Sequence, residues 1–172
     1  MKAEMTSFDV AASVYELNQT IKDAHIENIY QTDRRTLLLR LHMPNQTPIQ
    51  LLVEAGKRAH LTTYVQEKPL KPPDFCMLLR KHLGNGRVQD VQQQEFERTI
   101  SLRTSTKKGV FQLIAELFGE GNIILVDQQG LIVSALNYKK MRDRNILRNE
   151  PFKHAPSSGK NPLRTTRTDI DR

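Results

Sequence analysis

Residues 36–54, TLLLRLHMPNQTPIQLLVE, decide the fold. Leu37, Leu39 and Leu41 alternate with Leu38, Arg40 and His42, and Ile49, Leu51 and Val53 alternate with Gln50, Leu52 and Glu54. A period of two belongs to a strand, whose successive side chains point to opposite faces; a helix repeats near 3.6. Pro44-Asn45 divides the two runs and Ala55-Gly56 ends the second, and such residues favour turns. The stretch therefore reads as part of a meander, with strands expected near 25–31, 34–43, 48–54 and 59–65.

On its N-terminal side, Ser7 is the expected N-cap of a helix over 8–23, with Val10, Val14, Leu17 and Ile21 on one stripe. On its C-terminal side, Pro72-Pro73 suits the first turn of a second helix, Asp74 to Leu83, with apolar Phe75, Leu78, Leu79 and Leu83. Arg80, Lys81 and His82 complement the negative end of that helix, and Gly84 can end it. Strands are expected again near 87–93, 96–104, 110–118, 123–127 and 131–136. Val110 to Phe118 has a helical apolar count, but Gly119 and Gly121 just after it favour a hairpin. The fold class is α+β, an antiparallel β-rich domain with two main helices. After Tyr138 charges crowd together, and from Pro151 Pro, Ser and Thr replace apolar residues. This places a domain over 1–150 and a basic flexible linker or tail over 151–172.

The 172 residues hold 26 Lys+Arg against 19 Asp+Glu, a formal charge of +7, which favours polyanionic partners, nucleic acid or anionic membrane. No run approaches the roughly 18 apolar residues of a spanning helix, and Met1-Lys2-Ala3-Glu4 reads as a cytoplasmic beginning. Cys76 is the only cysteine, so an intrachain disulfide and a multi-cysteine zinc site are both excluded. It sits in an apolar helical stretch without elbow glycines and reads as a buried thiol. His25, His42, His60, His82 and His154 are scattered without metal-ligand spacing. Gly84-Asn85-Gly86 and Gly119-Glu120-Gly121 do not lead from a strand into a helix, as a phosphate loop would. No catalytic residue, metal or cofactor is expected, and the chain reads as an RNA-binding module, with a protein-interaction platform that takes no nucleic acid as an alternative.

Two constellations remain. Read as a strand, residues 96–103 place Phe96, Arg98, Ile100 and Leu102 on one face and Glu97, Thr99, Ser101 and Arg103 on the other. Arg98 then interrupts an apolar face and cannot pair with Glu97. It is either a rim arginine reaching water or another carboxylate, or a guanidinium held in a cleft for RNA. Lys139, Lys140, Arg142, Arg144 and Arg148 surround one acid, Asp143, beside Tyr138. They form either a solvated face or a set of phosphate contacts with salt-sensitive, sequence-independent affinity.

Four segments carry a family resemblance. They are Thr6 to Ala12 with Tyr15-Glu16-Leu17, then Ile29-Tyr30-Gln31, Pro72 to Leu83, and Glu116 to Asp127. They resemble the NFACT-N domain of the RqcH/NEMF ribosome-quality-control family, some of whose bacterial members were first labelled fibronectin-binding proteins. The resemblance implies an N-terminal fragment, with Asn161-Pro162-Leu163 in a linker to regions not present. It implies binding of tRNA and of a large ribosomal subunit carrying a stalled peptidyl-tRNA, in support of untemplated C-terminal tailing. The family's Asp-Arg pair falls at Glu97-Arg98, where the acid is one methylene longer, and a second acidic position falls at Asp9. As an ordinary first-turn acid, Asp9 would simply suit the helix dipole. The resemblance extends in fold to the N-terminal domain of formamidopyrimidine-DNA glycosylases, which supplies an enzyme alternative. Their N-terminal proline nucleophile has no counterpart in Met1-Lys2-Ala3.

Overall fold

The computed structural model describes residues 4–63 and 71–156. Helix α1 (Ser7–Thr20) is followed by strands β1 (His25–Gln31), β2 (Thr36–His42), β3 (Ile49–Glu54) and β4 (Arg58–Thr62), then by helix α2 (Asp74–Leu83). The second half comprises β5 (Arg87–Gln93), β6 (Thr99–Thr106), β7 (Gly109–Glu116), β8 (Asn122–Val126) and β9 (Ile132–Ala135). A short hairpin, β10 (Lys139–Lys140) and β11 (Asn145–Ile146), comes last. The nine long strands form one antiparallel sheet in the order β4-β3-β2-β1-β5-β6-β7-β8-β9. Two meanders are joined at a corner, where the first residues of β1 and β5, His25 and Arg87, pair. The α+β expectation holds.

Both helices bury apolar faces in one core with Leu37, Leu39, Leu41, Leu51 and Val53, the residues whose alternation announced the strands. Helix α1 is capped by Thr6, not Ser7. Thr6 Oγ1 accepts from Asp9 N at 3.1 Å, and Asp9 Oδ2 accepts from Thr6 N at 2.9 Å. This reciprocal box satisfies two end N–H groups at once. The helix also stops earlier than expected, with Asp23 at φ 72° turning the chain into β1. Asn18 fixes it to the sheet, donating to Val91 O at 2.7 Å and accepting from Val91 N at 2.8 Å. In α2, Cys76 is fully buried with its thiol toward Ile29 O, and burial raises its pKa, in keeping with a structural thiol.

Strand β8 is buried along its whole length because both faces are covered. Ile123 and Leu125 enter the main core, while Ile124 and Val126 join Ile114, Ile132, Ala135 and Ile146 in a second cluster, with Phe152 packed on it. The charged segment after Tyr138 thus folds back over the sheet, driven by the fully buried Ile146. Residues 151–156, the start of the expected tail, are also placed: Pro151 bridges to Leu131, and Phe152 N donates to Gly130 O at 2.9 Å. The rest of that tail, 157–172 with Asn161-Pro162-Leu163, and residues 64–65 of the expected fourth strand lie outside the described residues.

Candidate nucleic-acid interface

The turns at the far ends of the two meanders are stitched together by backbone bonds. Ala55 N donates to Arg35 O, Gly56 N to Glu116 O, Leu117 N to Arg98 O, and Met5 N to Lys57 O, all at 2.8–3.0 Å. The β3–β4 and β7–β8 turns touch so closely that a Cβ on Gly121 would run into the backbone of Ala55 and Gly56. Gly56 and Gly121 also hold positive φ values of 80° and 77°, so glycine is required twice over. This close approach gathers the polar side chains of distant segments onto one end face.

The structure corrects the reading of Glu97 and Arg98 as strand residues. Strand β6 starts at Thr99, and residues 94–98 form the β5–β6 turn, with Glu95 at φ 51° and Glu97 N donating to Gln94 O at 3.0 Å. Phe96 leaves the expected face to meet Phe8 edge-on, ring centroids 4.7 Å apart at 76°. Because strand alternation does not apply in a turn, Glu97 and Arg98 line the same cleft. Its volume is about 90 Å³, and Gln94, Thr99, Phe118 and His154 share its walls. Gln93 holds the turn against α1, donating to Ser7 O at 3.2 Å and Glu97 O at 2.8 Å. Arg98 Nη1 bonds Glu4 Oε1 at 2.8 Å with its side chain 36% exposed, so the guanidinium remains open to a ligand.

Asp9 is brought near but not into this cleft. It belongs to the capping box and lines a separate hollow of about 310 Å³ with Met5, Ser13, Glu16, Arg58 and His60. Consecutive residues Glu4 and Met5 touch the two sites: Glu4 pairs Arg98, and Met5 lines the Asp9 hollow.

The basic segment separates into different roles. Arg144 is withdrawn from any phosphate-binding face. Its Nη2 donates to Glu116 Oε1 at 2.7 Å, its Nη1 to Lys153 O at 2.8 Å, and the Arg144 and Glu116 side chains are 7% and 4% exposed. The Arg144 guanidinium also lies 5.9 Å from the centre of the Phe152 ring. Arg148 donates to Tyr138 Oη at 2.8 Å over the same ring. Burial alone would raise the Tyr138 pKa, but bonds with Ser134 and Arg148 and the Arg148 charge bring it below its ordinary value. Lys139 pairs with Glu120 at 2.8 Å, and that hydrogen bond and charge hold the Glu120 carboxyl below the usual range. Lys140 and Arg142 are exposed on the hairpin.

His154, singled out by no motif, reaches the Glu97–Arg98 cleft from beyond β11. The residue is exposed overall, yet its ring meets Phe152 edge-on at 4.9 Å. Desolvation lowers its pKa against the opposing pull of Glu116, with the Arg144 charge adding to the lowering. A neutral imidazole offers the cleft one donor and one acceptor. Among the described residues no group of three or more His, Cys, Asp or Glu is placed to hold a metal, and no helix is long and apolar enough to cross a membrane.

The fold and this end face define a class: a β-rich α+β domain whose turns present guanidinium, carboxylate and imidazole groups together. The chain belongs to the family described as NFACT N-terminal and middle domains, whose model matches residues 6–172. It is 36% identical over 167 residues to the archaeal Rqc2 homolog aRqcH of Methanocaldococcus jannaschii, covering 94% of this chain and 25% of that protein. It is 32% identical over 139 residues to the human ribosome quality control complex subunit NEMF, covering 81% of this chain and 13% of that protein. It therefore spans a quarter or less of these two relatives. Among solved structures, the N-terminal domain of the fibronectin-binding protein PavA from Streptococcus pneumoniae superposes with a TM-score of 0.86 at 25% identity. That match covers 98% of this chain and 71% of the other.

Proposed function

We propose that this chain is the tRNA- and large-ribosomal-subunit-binding module of a cytoplasmic ribosome-associated quality control factor. The longer protein engages subunits carrying stalled peptidyl-tRNA and supports untemplated C-terminal tailing. The module binds and does not catalyse. The observation that carries this reading is the convergence of Glu97 and Arg98 on one cleft beside the β5–β6 turn, in a chain whose relatives include a factor named for ribosome quality control. An arginine fork suits phosphates and base edges, and the neighbouring Phe118 and His154 offer ring surfaces on which a base can stack.

Filter binding of deacylated tRNA tests it. Arg98→Ala is expected to weaken binding about tenfold or more, the loss of a charged hydrogen-bond contact, with the domain still folded. Unchanged affinity would remove the role assigned to Arg98. Glu97→Asp restores the shorter acid and is expected to retain binding, so that any gain in tailing by the longer protein reports the extra methylene. Cleavage of, or a trapped adduct with, lesion-containing duplex DNA would overturn the reading in favour of a DNA-processing enzyme.

A further inference from the structure

Beside the β7–β8 turn, whose Phe118 lines the Glu97–Arg98 cleft, lies a hollow of about 310 Å³ lined by Arg34, Arg35, Glu120, Asn137 and Lys139. Its walls come from the β1–β2 loop, the β7–β8 turn and the start of β10, segments about 85 and 19 residues apart in sequence that meet at Glu120. Arg35 Nη2 donates to Glu120 O at 2.9 Å, and Lys139 Nζ donates to Glu120 Oε2 at 2.8 Å. The turn thus holds two cations in place, while Arg34 beside them is exposed. Every lining residue is polar. Three cations face one carboxylate, and that carboxylate is 77% exposed. An acidic protein partner would require apolar or aromatic anchors, which carry most protein–protein binding energy, and this hollow has none. Two guanidinium forks, an ammonium and an amide match the oxygens of a phosphodiester.

We infer that the Arg34–Arg35–Lys139 hollow is a second phosphate-binding site, which seats the backbone of the same RNA strand that reaches Arg98. This rests on the proposed RNA-binding function and adds the path the strand takes. The path follows from the turn itself: Phe118 lines the Arg98 cleft and Glu120 lines this hollow. Their Cα atoms can be no more than about 7 Å apart, so both sites border the same short turn. One strand crossing the Gly119–Gly121 turn can therefore touch both sites. Asn137 is kept in position by Asn122, whose Oδ1 accepts from Asn137 N at 3.0 Å and whose Nδ2 donates to Asn137 O at 2.8 Å.

The experiment is a salt titration of deacylated tRNA binding by the parent chain, Arg34→Ala/Arg35→Ala, Arg98→Ala and Glu120→Gln, with thermal unfolding measured for each. The double variant is expected to bind at least tenfold more weakly, with a slope of log affinity on log salt shallower by about 0.7 to 0.9, one phosphate contact's worth. Glu120→Gln removes the opposing charge and is expected to bind more tightly. If Arg98→Ala weakens binding while the double variant matches the parent in affinity and slope, the second site is refuted and the function stands. If the parent itself binds no tRNA at low salt, the function fails and the inference falls with it. Should the double variant unfold, Arg34→Glu alone replaces it: Arg34 supports no contact in the turn described above, so unchanged binding by that variant would refute the site.

Discussion

Arg98 and Arg144 make the same kind of bond in opposite surroundings. Each reaches a glutamate at 2.7–2.8 Å, but the Arg144–Glu116 pair is almost fully enclosed, whereas Arg98 and Glu4 are 36% and 55% exposed. Two charges removed from water hold each other because neither has an alternative, and deleting one leaves the other stranded. Two charges at the surface exchange partners at little cost. The first pair therefore belongs to the folding of the 139–152 segment, and the second leaves a cation available to a ligand. Charge in the sequence marks both arginines alike; burial separates them.

The largest effect should come from Arg144→Ala. It leaves the buried Glu116 carboxylate without its arginine and is expected to cost about 3 kcal/mol or more of stability in urea unfolding. A loss below about 1 kcal/mol would mean that the pair is wetter than described. Arg98→Ala should reverse the pattern, with stability within about 1 kcal/mol of the parent and RNA affinity carrying the effect. Equal stability losses for the two variants would break the contrast.

A third test separates Asp9's two possible duties. Thr6→Ala removes half of the capping box and should cost about 1 kcal/mol while leaving the Asp9 carboxylate in place. If Asp9→Asn weakens tRNA binding more than Thr6→Ala does at comparable stability, Asp9 acts on RNA. Equal effects would confine it to the cap.

The smallest effect concerns acid stability. Asp90 accepts from Arg103 Nε and Nη2 at 2.8 and 2.7 Å, and that bonding, outweighing burial, lowers its pKa. A depressed carboxylate stabilises the fold above its unfolded value of about 3.9. That contribution is lost as pH falls through the lower folded value. Both side chains are partly exposed, so the amplitude should stay well under about 1 kcal/mol. Asp90→Asn should flatten the stability profile below about pH 4 and leave its shape near neutrality unchanged; an unaltered acid limb would show that the pair contributes nothing.

The regular elements were legible because each states its period locally. Helix α2 spans Asp74–Leu83 as read, and the alternation in 36–54 became β2 and β3. The reading went wrong where a residue satisfied two patterns. Phe96 fits the alternation of β6, yet Glu95 adopts a left-handed turn and sends Phe96 to Phe8. Ser7 and Thr6 are both capping residues, but only Thr6 stands three positions before Asp9. Arg34 and Arg35 carry no local signal because they become a site only when the β7–β8 turn docks beside them. That docking depends on the Gly56–Gly121 approach, a contact across 65 residues that no local pattern announces. The withdrawal of Arg144 was equally hidden, since it follows from where Glu116 and Phe152 each meet its guanidinium.

Backbone hydrogen exchange with and without deacylated tRNA tests the central claim most directly, because it reports where RNA sits without altering a residue. The account predicts slowed exchange in the 94–98 and 117–121 turns, with the α2 face unchanged. Protection confined to α2, or to the enclosed surroundings of Arg144, would contradict it.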